Sequence, residues 1–350
     1  MARINAISTA LPALDFEQDY RRWALTRLLG TREARLYARM AQRSGIEHRW
    51  SVLSEEDAKL NEGRGLYGGP DAPGTARRMQ IYEKEAPELA LKAVEGLPDL
   101  GDVTHLVVAS CTGFVAPGID QIVARRLGLS ASIERVLIGF MGCYAAVTAL
   151  RTARHIVRSE PGARVLVITV ELSTLHHQDT VDLEPLLAGA QFGDGAAAAI
   201  VTAGGEGLAL GEGISAALGD SEDLITWDIS DHGFVMRLSG EVPGRIASAL
   251  ADPTVRARIT GGEPAESIDG WAVHAGGRSI LDGVQHGLNL APGALDDSRE
   301  ILRSCGNMSS STLMFVLERM MHSKPERGVA IAFGPGLAME GLHFGWTEAA

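Results

Sequence analysis

The sequence has few cysteines and no long apolar run, and both absences limit what the protein can be. Its 350 residues include only three cysteines, an odd number without metal-site spacing. This usage argues against a disulfide framework and favours a reducing, cytoplasmic compartment. No stretch of about 18 uninterrupted apolar residues occurs, so we expect no transmembrane helix. The first residues lack a convincing apolar leader and read as a first strand.

Charge and the remaining polar clusters exclude further classes. The formal net charge of −12 argues against nucleic acid as a partner. His176 and His177 are adjacent, but neighbouring residues of an extended chain point to opposite faces and no third ligand is evident nearby. We therefore expect no metal site there. The glycine-rich residues 204–211 lack the spacing and following helix of a dinucleotide-binding loop, and they read better as a join between two halves.

Apolar strand patterns alternate with helical patterns along the chain, which is typical of an α/β protein. The composition, 45% hydrophobic with 41 glycines, fits a tightly packed core. In each half, a strand is followed after roughly thirty residues by a glycine and a helix start, then by a helix and two more strands. We therefore predict two similar halves, residues 1–205 and 206–350, packed about a pseudo-twofold axis. The predicted strands span residues 103–110, 164–170, 195–201, 268–274, 328–333 and 338–344.

Cys143 stands where an apolar strand pattern passes through Gly142 into a helical pattern. The first-turn N–H groups of a helix, with a dipole equal to about half a positive charge, stabilise a thiolate and an adjacent oxyanion. A lone cysteine is more often a buried, inert residue. Whether Cys143 is a nucleophile or a core side chain therefore depends on two further residues.

His274 and Asn307 are those two residues. His274 ends a strand pattern, where its imidazole would overlook a cleft, although many such histidines are hydrogen-bonded core residues. Asn307 follows Gly306 at the start of a helical pattern, where an ordinary N-cap is the alternative. The repeat gives Cys143 and Asn307 equivalent positions in the two halves. Packing about a twofold axis would bring both helix starts to one cleft beside His274, which favours a catalytic trio.

Five segments of the chain resemble the motifs of one family. They are residues 142–146 (GCYAA), 191–198 (QFGDGAAA), 274–277 (HAGG), 305–310 (CGNMSS) and 333–340 (FGPGLAME). In order and spacing they are similar to the type III polyketide synthases, the chalcone and stilbene synthase-like enzymes of the thiolase-fold superfamily. The resemblance covers nearly the whole chain. One departure is Ala275, where the family usually has proline.

The resemblance implies a thiolase-like fold of duplicated αβαβα halves and an acyltransferase that needs no cofactor and no metal. Cys143 would take an acyl group from a starter acyl-CoA. His274 and Asn307 would stabilise the enolate that forms when malonyl-CoA loses carbon dioxide. If His274 reaches Cys143, a thiolate–imidazolium pair can form. Repeated condensation and cyclisation would give a pyrone, a resorcinol or a phloroglucinol-type product, and the family implies a cytoplasmic homodimer.

The resemblance also assigns residues around the reaction. Two match gatekeepers between the CoA tunnel and the interior, three match positions that line the chamber, and one belongs to a loop that shapes the active-site wall. They are, in that order, Phe192 and Met236; Ala116, His176 and Ser309; and Gly336. Met236 stands where plant enzymes have phenylalanine. Ala116 in place of a larger residue suggests room for a long or aliphatic starter, as in the bacterial alkylresorcinol and alkylpyrone synthases.

Four arginines, Arg32, Arg35, Arg39 and Arg43, are spaced three or four residues apart. This spacing stacks them on one face of a helix. From the residues alone, a solvated helix face is the alternative. By resemblance, Arg39 and Arg43 match two of the basic positions that hold the CoA phosphates. Leu36 replaces the third, for which Arg35 could substitute.

Two other functions fit the same residues. A ketoacyl synthase of the kind that initiates fatty-acid synthesis would make one condensation with an acyl carrier protein as its partner. A non-catalytic thiolase-fold subunit would only bind acyl chains, but such a subunit has no need for Cys143, His274 and Asn307 together. The starter, the number of extensions and the ring type depend on cavity volume, so the sequence leaves them open.

Overall fold

The computed structural model describes residues 1–60, 65–67 and 73–349. Helices and strands alternate along these residues, as the sequence predicts. The strands are β1 Arg3–Ala10, β2 Leu14–Asp15, β3 Trp50–Ser51, β4 His105–Ser110, β5 Glu134–Gly139, β6 Val165–Leu172, β7 Asp194–Thr202, β8 Gly207–Ala217, β9 Ile225–Ser230, β10 Gly233–Leu238, β11 Gly270–Val273, β12 Gly328–Gly334 and β13 Ala338–Thr347. The helices are α1 Glu17–Arg27, α2 Arg32–Arg43, α3 Thr75–Glu95, α4 Ile119–Arg126, α5 Ala145–Ser159, α6 Leu183–Gly189, α7 Val242–Ala251, α8 Pro253–Thr260, α9 Arg278–Leu288, α10 Asp296–Cys305 and α11 Ser310–Ser323.

Nine strands form one sheet in the order β11-β12-β13-β8-β1-β7-β6-β4-β5. Read outward from the centre, each half repeats the same pairing, which is antiparallel, antiparallel and then parallel. The first half runs β1-β7-β6-β4 and the second β8-β13-β12-β11. Strand β5 extends only the first half, as a parallel edge strand. The halves join where β1 pairs with β8, and the predicted boundary near residue 205 lies in the turn before β8.

Three buried clusters divide the molecule into layers. One cluster joins α1, α3 and α4 to the outer face of the first half-sheet. A second contains α5 and α11 together with strands from both halves. A third joins α7, α9 and α10 to the outer face of the second half-sheet. The result is the predicted αβαβα arrangement, with α5 and α11 as the shared central layer.

Strand β6 illustrates how the sequence builds these layers. All eight of its residues are buried, and successive side chains of a strand point to opposite faces. Leu166, Ile168 and Val170 therefore enter the outer cluster, while Val165 and Val167 enter the central one. A strand covered on both faces is mostly apolar, which explains why six of the eight residues are Val, Leu or Ile. Within the described residues, no helix combines the length and apolarity needed to cross a bilayer.

Candidate active site

Cys143 lies in a short 3₁₀ turn, Gly142–Tyr144, that leads directly into α5. Gly142 has a positive φ of 75°, and a Cβ atom at this position would stand 2.4 Å from Cδ of Pro335. Only glycine satisfies both constraints, so the turn into the cysteine depends on it. Cys143 is buried, and its position at the start of the central helix is the one predicted from sequence.

His274 follows β11 immediately and continues its pairing, because its backbone N–H donates to the carbonyl oxygen of Ile331 at 2.9 Å. The imidazole is buried. Neither of its ring nitrogens has a hydrogen-bond partner among the described residues. Buried polar groups are normally paired, so the side chain that is free of protein partners is available to a substrate.

Asn307 lies between α10 and α11, two residues before the N-cap residue of α11, Ser309. Its Oδ1 accepts from the backbone N–H of Ser309 at 2.8 Å, and its Nδ2 donates to the carbonyl oxygen of Gly276 at 3.2 Å. Its own backbone N–H donates to Gln191 at 2.8 Å. Hydrogen bonds therefore hold both the oxygen and the nitrogen of the side-chain amide. Because Ser309 is the N-cap residue of α11, Asn307 is not an ordinary helix N-cap.

The three residues meet at one cavity in the middle of the molecule. Its wall also contains Phe192 and Met236, which the sequence analysis assigns to the gate, and Ser309, which it assigns to the chamber. Further wall residues are mostly apolar: Ile225, Trp227, Leu238, Ile280, Phe333 and Pro335. The trio therefore opens onto a space with few competing polar groups, where hydrogen bonds to a reacting substrate are strong.

Burial governs the charge state of this site. The pKa of Cys143 is raised to about 12, chiefly by burial and also by the nearby Glu171 carboxylate, although hydrogen bonds from Ser309 and Asn307 oppose the rise. Burial also lowers the pKa of His274 to about 3. Each group taken alone is neutral at pH 7. A thiolate at Cys143 consequently needs a positive partner, and the imidazole across the same cavity can supply one by accepting the thiol proton.

Glu171 is a titratable group that the sequence analysis does not single out. It is buried on β6 and accepts hydrogen bonds from the backbone N–H of Cys111 at 2.9 Å and from the Thr112 hydroxyl at 3.0 Å. The Ser310 hydroxyl donates to its second oxygen. Burial raises the pKa of Glu171 to about 7 despite these bonds. Its charge next to the nucleophile therefore changes around neutral pH.

Three of the predicted site residues, two from the chamber and one from the wall loop, lie outside the cavity wall of the chain. Ala116 is exposed on the loop before α4, so the prediction that it lines this chamber is not met within one chain. His176 is buried behind the wall, where its ring stacks on Phe234 at 4.2 Å. Gly336 lies one residue beyond the wall residue Pro335. The alignment gives a position along the chain, but local backbone direction decides which side chain faces the cavity.

Trp227 is the bulkiest of several wall residues that the sequence analysis did not identify. Its Nε1–H donates to the carbonyl oxygen of Cys111 at 2.9 Å. Its ring also meets His176 and Phe234 edge to face, with centroids 5.5 and 5.7 Å away. The indole is thus held in place as a bulky part of the wall. The hairpin of β9 and β10 that carries it was not predicted either.

The predicted CoA-binding arginines lie on α2, and both are exposed. Arg43 lines a surface groove together with Gln191, Arg278 and Asp282. Gln191 precedes the wall residue Phe192, and Arg278 lies two residues before the wall residue Ile280, so the same two segments border the groove and the cavity. Arg39 is not part of the groove lining. Arg278, which the sequence analysis did not identify, donates to the backbone oxygen of Arg43 at 3.2 Å.

A duplicated αβαβα fold, with a cysteine and an asparagine at the two central helix starts and a histidine between them, defines a thiolase-fold condensing enzyme. The chain matches the model of chalcone and stilbene synthases, N-terminal domain, over residues 1–205. It matches the model of chalcone and stilbene synthases, C-terminal domain, over residues 210–345. The chain therefore belongs to the chalcone and stilbene synthase family.

Relatives in this family support the same conclusion. Pks18 of Mycobacterium tuberculosis, described as an alpha-pyrone synthesis polyketide synthase-like protein, is 35% identical over 324 residues, which cover 87% of this chain and 81% of Pks18. Bisdemethoxycurcumin synthase of Oryza sativa is 33% identical over 338 residues, covering 87% and 82%.

Solved structures agree with the sequence relatives. The 1,3,6,8-tetrahydroxynaphthalene synthase of Streptomyces coelicolor has a TM-score of 0.86 at 26% identity, covering 99% of this chain and 100% of the other. PKS-I of the brown alga Ectocarpus siliculosus has a TM-score of 0.86 at 29% identity, covering 99% and 98%. The chain is thus a type III polyketide synthase, an acyl-transferring condensing enzyme that uses CoA thioesters, and the predicted family, fold and reaction class are confirmed.

Proposed function

We propose that Cys143 is the acyl carrier of this synthase and that His274 and Asn307 hold the thioester oxygen of malonyl-CoA. The observation that supports the proposal is that these three side chains line one buried cavity. His274 offers ring nitrogens without a protein partner. Asn307 offers an N–H donor that the loop at Gly276 already orients.

In the first step, the sulfur of Cys143 attacks the carbonyl carbon of a starter acyl-CoA. The thiol proton passes to His274, because the pKa of an isolated thiol in this cavity is about 12. The carbon–sulfur bond to CoA breaks, and the CoA sulfur takes a proton as it leaves. The acyl group remains on Cys143 as a thioester.

In the second step, malonyl-CoA loses its carboxylate as carbon dioxide, and the bonding electrons move onto the thioester to form an enolate. Two preorganised donors, on His274 and Asn307, stabilise the growing oxygen charge; one such donor contributes about 2.7–4 kcal/mol in other enzymes. The enolate carbon attacks the acyl thioester and displaces Cys143. Loss of carbon dioxide makes the nucleophile, so the reaction needs no cofactor and no separate base.

The apolar wall suits an aliphatic starter whose chain packs against Ile225, Leu238 and Ile280. The similarity to Pks18, a protein named for alpha-pyrone synthesis, supports a pyrone as the cyclised product. Trp227 limits how far the chain can grow before it cyclises. Arg43 and Arg278, at the adjoining groove, are the arginines we propose for the CoA phosphates, with Arg39 farther along α2.

We further propose that the enzyme is a cytoplasmic homodimer joined at the edge strand β5. Five of the six β5 residues are exposed, and the first four of these are consecutive and include the apolar Val136 and Leu137. Sheet edges with unpaired backbone and exposed apolar side chains favour pairing with another strand. A second copy, paired through its own β5, would cover both edges at once.

Product analysis tests the function. Purified enzyme with malonyl-CoA and short, medium or long acyl-CoA starters should give cyclised products that contain several malonyl units, and Cys143→Ala should give none. A single extension that depends on an acyl carrier protein would favour the ketoacyl synthase alternative. Protein that is never acylated and consumes no malonyl-CoA with any starter would favour the binding subunit.

A further inference from the structure

Three potential metal ligands meet at the end of the sheet opposite Cys143. His105 opens β4, and Glu134 opens β5 as its partner in parallel register. Glu160 is the C-cap residue of α5. Nε2 of His105 lies 3.7 Å from Oε2 of Glu134 and 3.9 Å from Oε2 of Glu160. The three ligand atoms all lie within 4.8 Å of one another.

The histidine of this group is buried and oriented. Its side chain is only 8% exposed. Nδ1 lies 2.8 Å from the hydroxyl of Thr104, which accepts from the backbone N–H of Arg164 at 3.0 Å and donates to its carbonyl oxygen at 3.2 Å. We assign the ring proton to Nδ1, as a donor to Thr104, because the Thr104 hydroxyl itself donates to Arg164. This arrangement turns the Nε2 lone pair toward two carboxylates, as in histidine ligands fixed by a partner on the other nitrogen.

The distances between His105 Nε2 and the two carboxylate oxygens fit ligands of a shared metal ion better than they fit direct hydrogen bonds. An N–H···O bond spans about 2.7–3.2 Å, which is shorter than both separations at His105. Ligands bound to zinc at about 2.0–2.2 Å with tetrahedral angles stand about 3.4 Å apart. Within the single chain the side chains of Glu134 and Glu160 are 74% and 60% exposed, so a change of rotamer can bring their oxygens closer to His105 and to each other. Glu160 also stands at the negative end of the α5 dipole, which favours a cation beside it.

We infer that His105, Glu134 and Glu160 form a site for a divalent ion of the zinc type, with water as the fourth ligand. Strand β5 leads to the turn that contains Cys143 and helix α5 leads away from it, so the ion joins the far ends of the two elements that flank this turn. The strand length of β4, six residues at about 3.3 Å each, separates the ion from the cavity. The ion is therefore structural, and the inference stands apart from the proposed condensation.

Zinc titration of the purified full chain tests this site. Calorimetry should detect one Zn²⁺ per chain, and saturating Zn²⁺ should raise the midpoint of thermal unfolding by about 2 °C or more. His105→Gln and Glu134→Gln should each weaken binding at least tenfold and remove the thermal shift. Co²⁺ as a spectroscopic probe should give the visible absorption of a tetrahedral site in the unchanged protein and lose it in both variants.

Two control variants separate this site from other zinc ligands. His322 faces a single carboxylate, Glu318, at 3.8 Å, and its side chain is 78% exposed; His322→Gln should leave binding unchanged. Cys143→Ala removes the thiol that could bind zinc in the cavity, and it should also leave binding unchanged. Absence of zinc binding, equal binding by His105→Gln, or loss of binding in Cys143→Ala alone would overturn the inference.

Discussion

The side-chain amide of Asn307 donates a hydrogen bond, 3.2 Å long, to the backbone carbonyl oxygen of Gly276, two residues beyond His274. This bond ties the start of helix α11 to the loop that follows the histidine. The two groups proposed to hold the thioester oxygen therefore keep a fixed relation to each other. Preorganised donors of this kind stabilise a developing charge without the cost of reorienting.

His274 should control the reactivity of Cys143. Burial raises the pKa of the Cys143 thiol to about 12, so a thiolate at pH 7 depends on the imidazole. We predict that His274→Ala slows alkylation of Cys143 by iodoacetamide at pH 7 at least tenfold and moves its pH profile to the alkaline side. Peptide mass mapping separates Cys143 from the buried Cys111 and Cys305. An unchanged profile would exclude the thiolate–imidazolium pair.

Trp227 should set the size of the product. Trp227→Ala removes an indole from the cavity wall, so the variant should accept longer starters or make further extensions. Its product yield from long acyl-CoA starters should be several-fold higher than that of the unchanged enzyme. Trp227→Phe keeps most of the bulk but removes the hydrogen bond to Cys111, and it should retain the original product. Chromatography with mass spectrometry of the products distinguishes the two. The same product distribution from both variants would mean that bulk at this position does not limit growth.

Glu171 should make stability depend on pH. Burial raises its pKa from 4.5 to about 7 in the folded chain, so the folded state keeps a proton that the unfolded chain releases between these values. The contribution of Glu171 to the free energy of unfolding is therefore fully present below pH 4.5. It decreases by about 3 kcal/mol as the pH rises from 4.5 through 7. The free energy of urea unfolding should therefore fall over this range more steeply in the unchanged protein than in Glu171→Gln. An equal pH dependence of unfolding in the two proteins would mean that Glu171 is not the group that binds this proton.

Strand β5 should hold the dimer together. We predict a solution mass of about twice the 37.1 kDa of the chain, and a monomer for Leu137→Lys, because a lysine would be buried against the partner. Ile229 is a control, since it is an exposed apolar residue on β9; Ile229→Lys should remain a dimer. Light scattering after gel filtration measures both. A dimer in Leu137→Lys would move the interface away from β5.

The parts of the fold that are buried on both faces were predictable from sequence. Largely apolar runs mark β6 and β12, the strands that follow the two helices beginning beside Cys143 and Asn307. Trp227 was not predictable, because β9 forms a hairpin with an irregular burial pattern. What fixes its ring is a bond to Cys111, a residue 116 positions away.

The direction of individual side chains was the second feature that could not be predicted from the sequence. Alignment matches Ala116 and His176 to chamber positions of the family, yet Ala116 is exposed and His176 lies behind the wall, with Nε2 bonded to the carbonyl oxygen of Thr112 at 2.8 Å. The spacing of motifs along the chain does not show which way a side chain points. The buried Glu171 is likewise hidden in sequence, because it is the second-last residue of a strand that is mostly apolar.

The most direct test of the proposed trio is to measure carbon dioxide release from malonyl-CoA and acylation of Cys143 in the same Asn307→Ala sample. Removal of one donor should slow decarboxylation by about 10²–10³-fold, while intact-mass spectrometry should still find one acyl group per chain from the starter. Asn307→Asp, of equal shape but without the N–H donors, should decarboxylate no faster. Equal loss of both activities, or unchanged decarboxylation, would contradict the separate role of Asn307 on which the account depends.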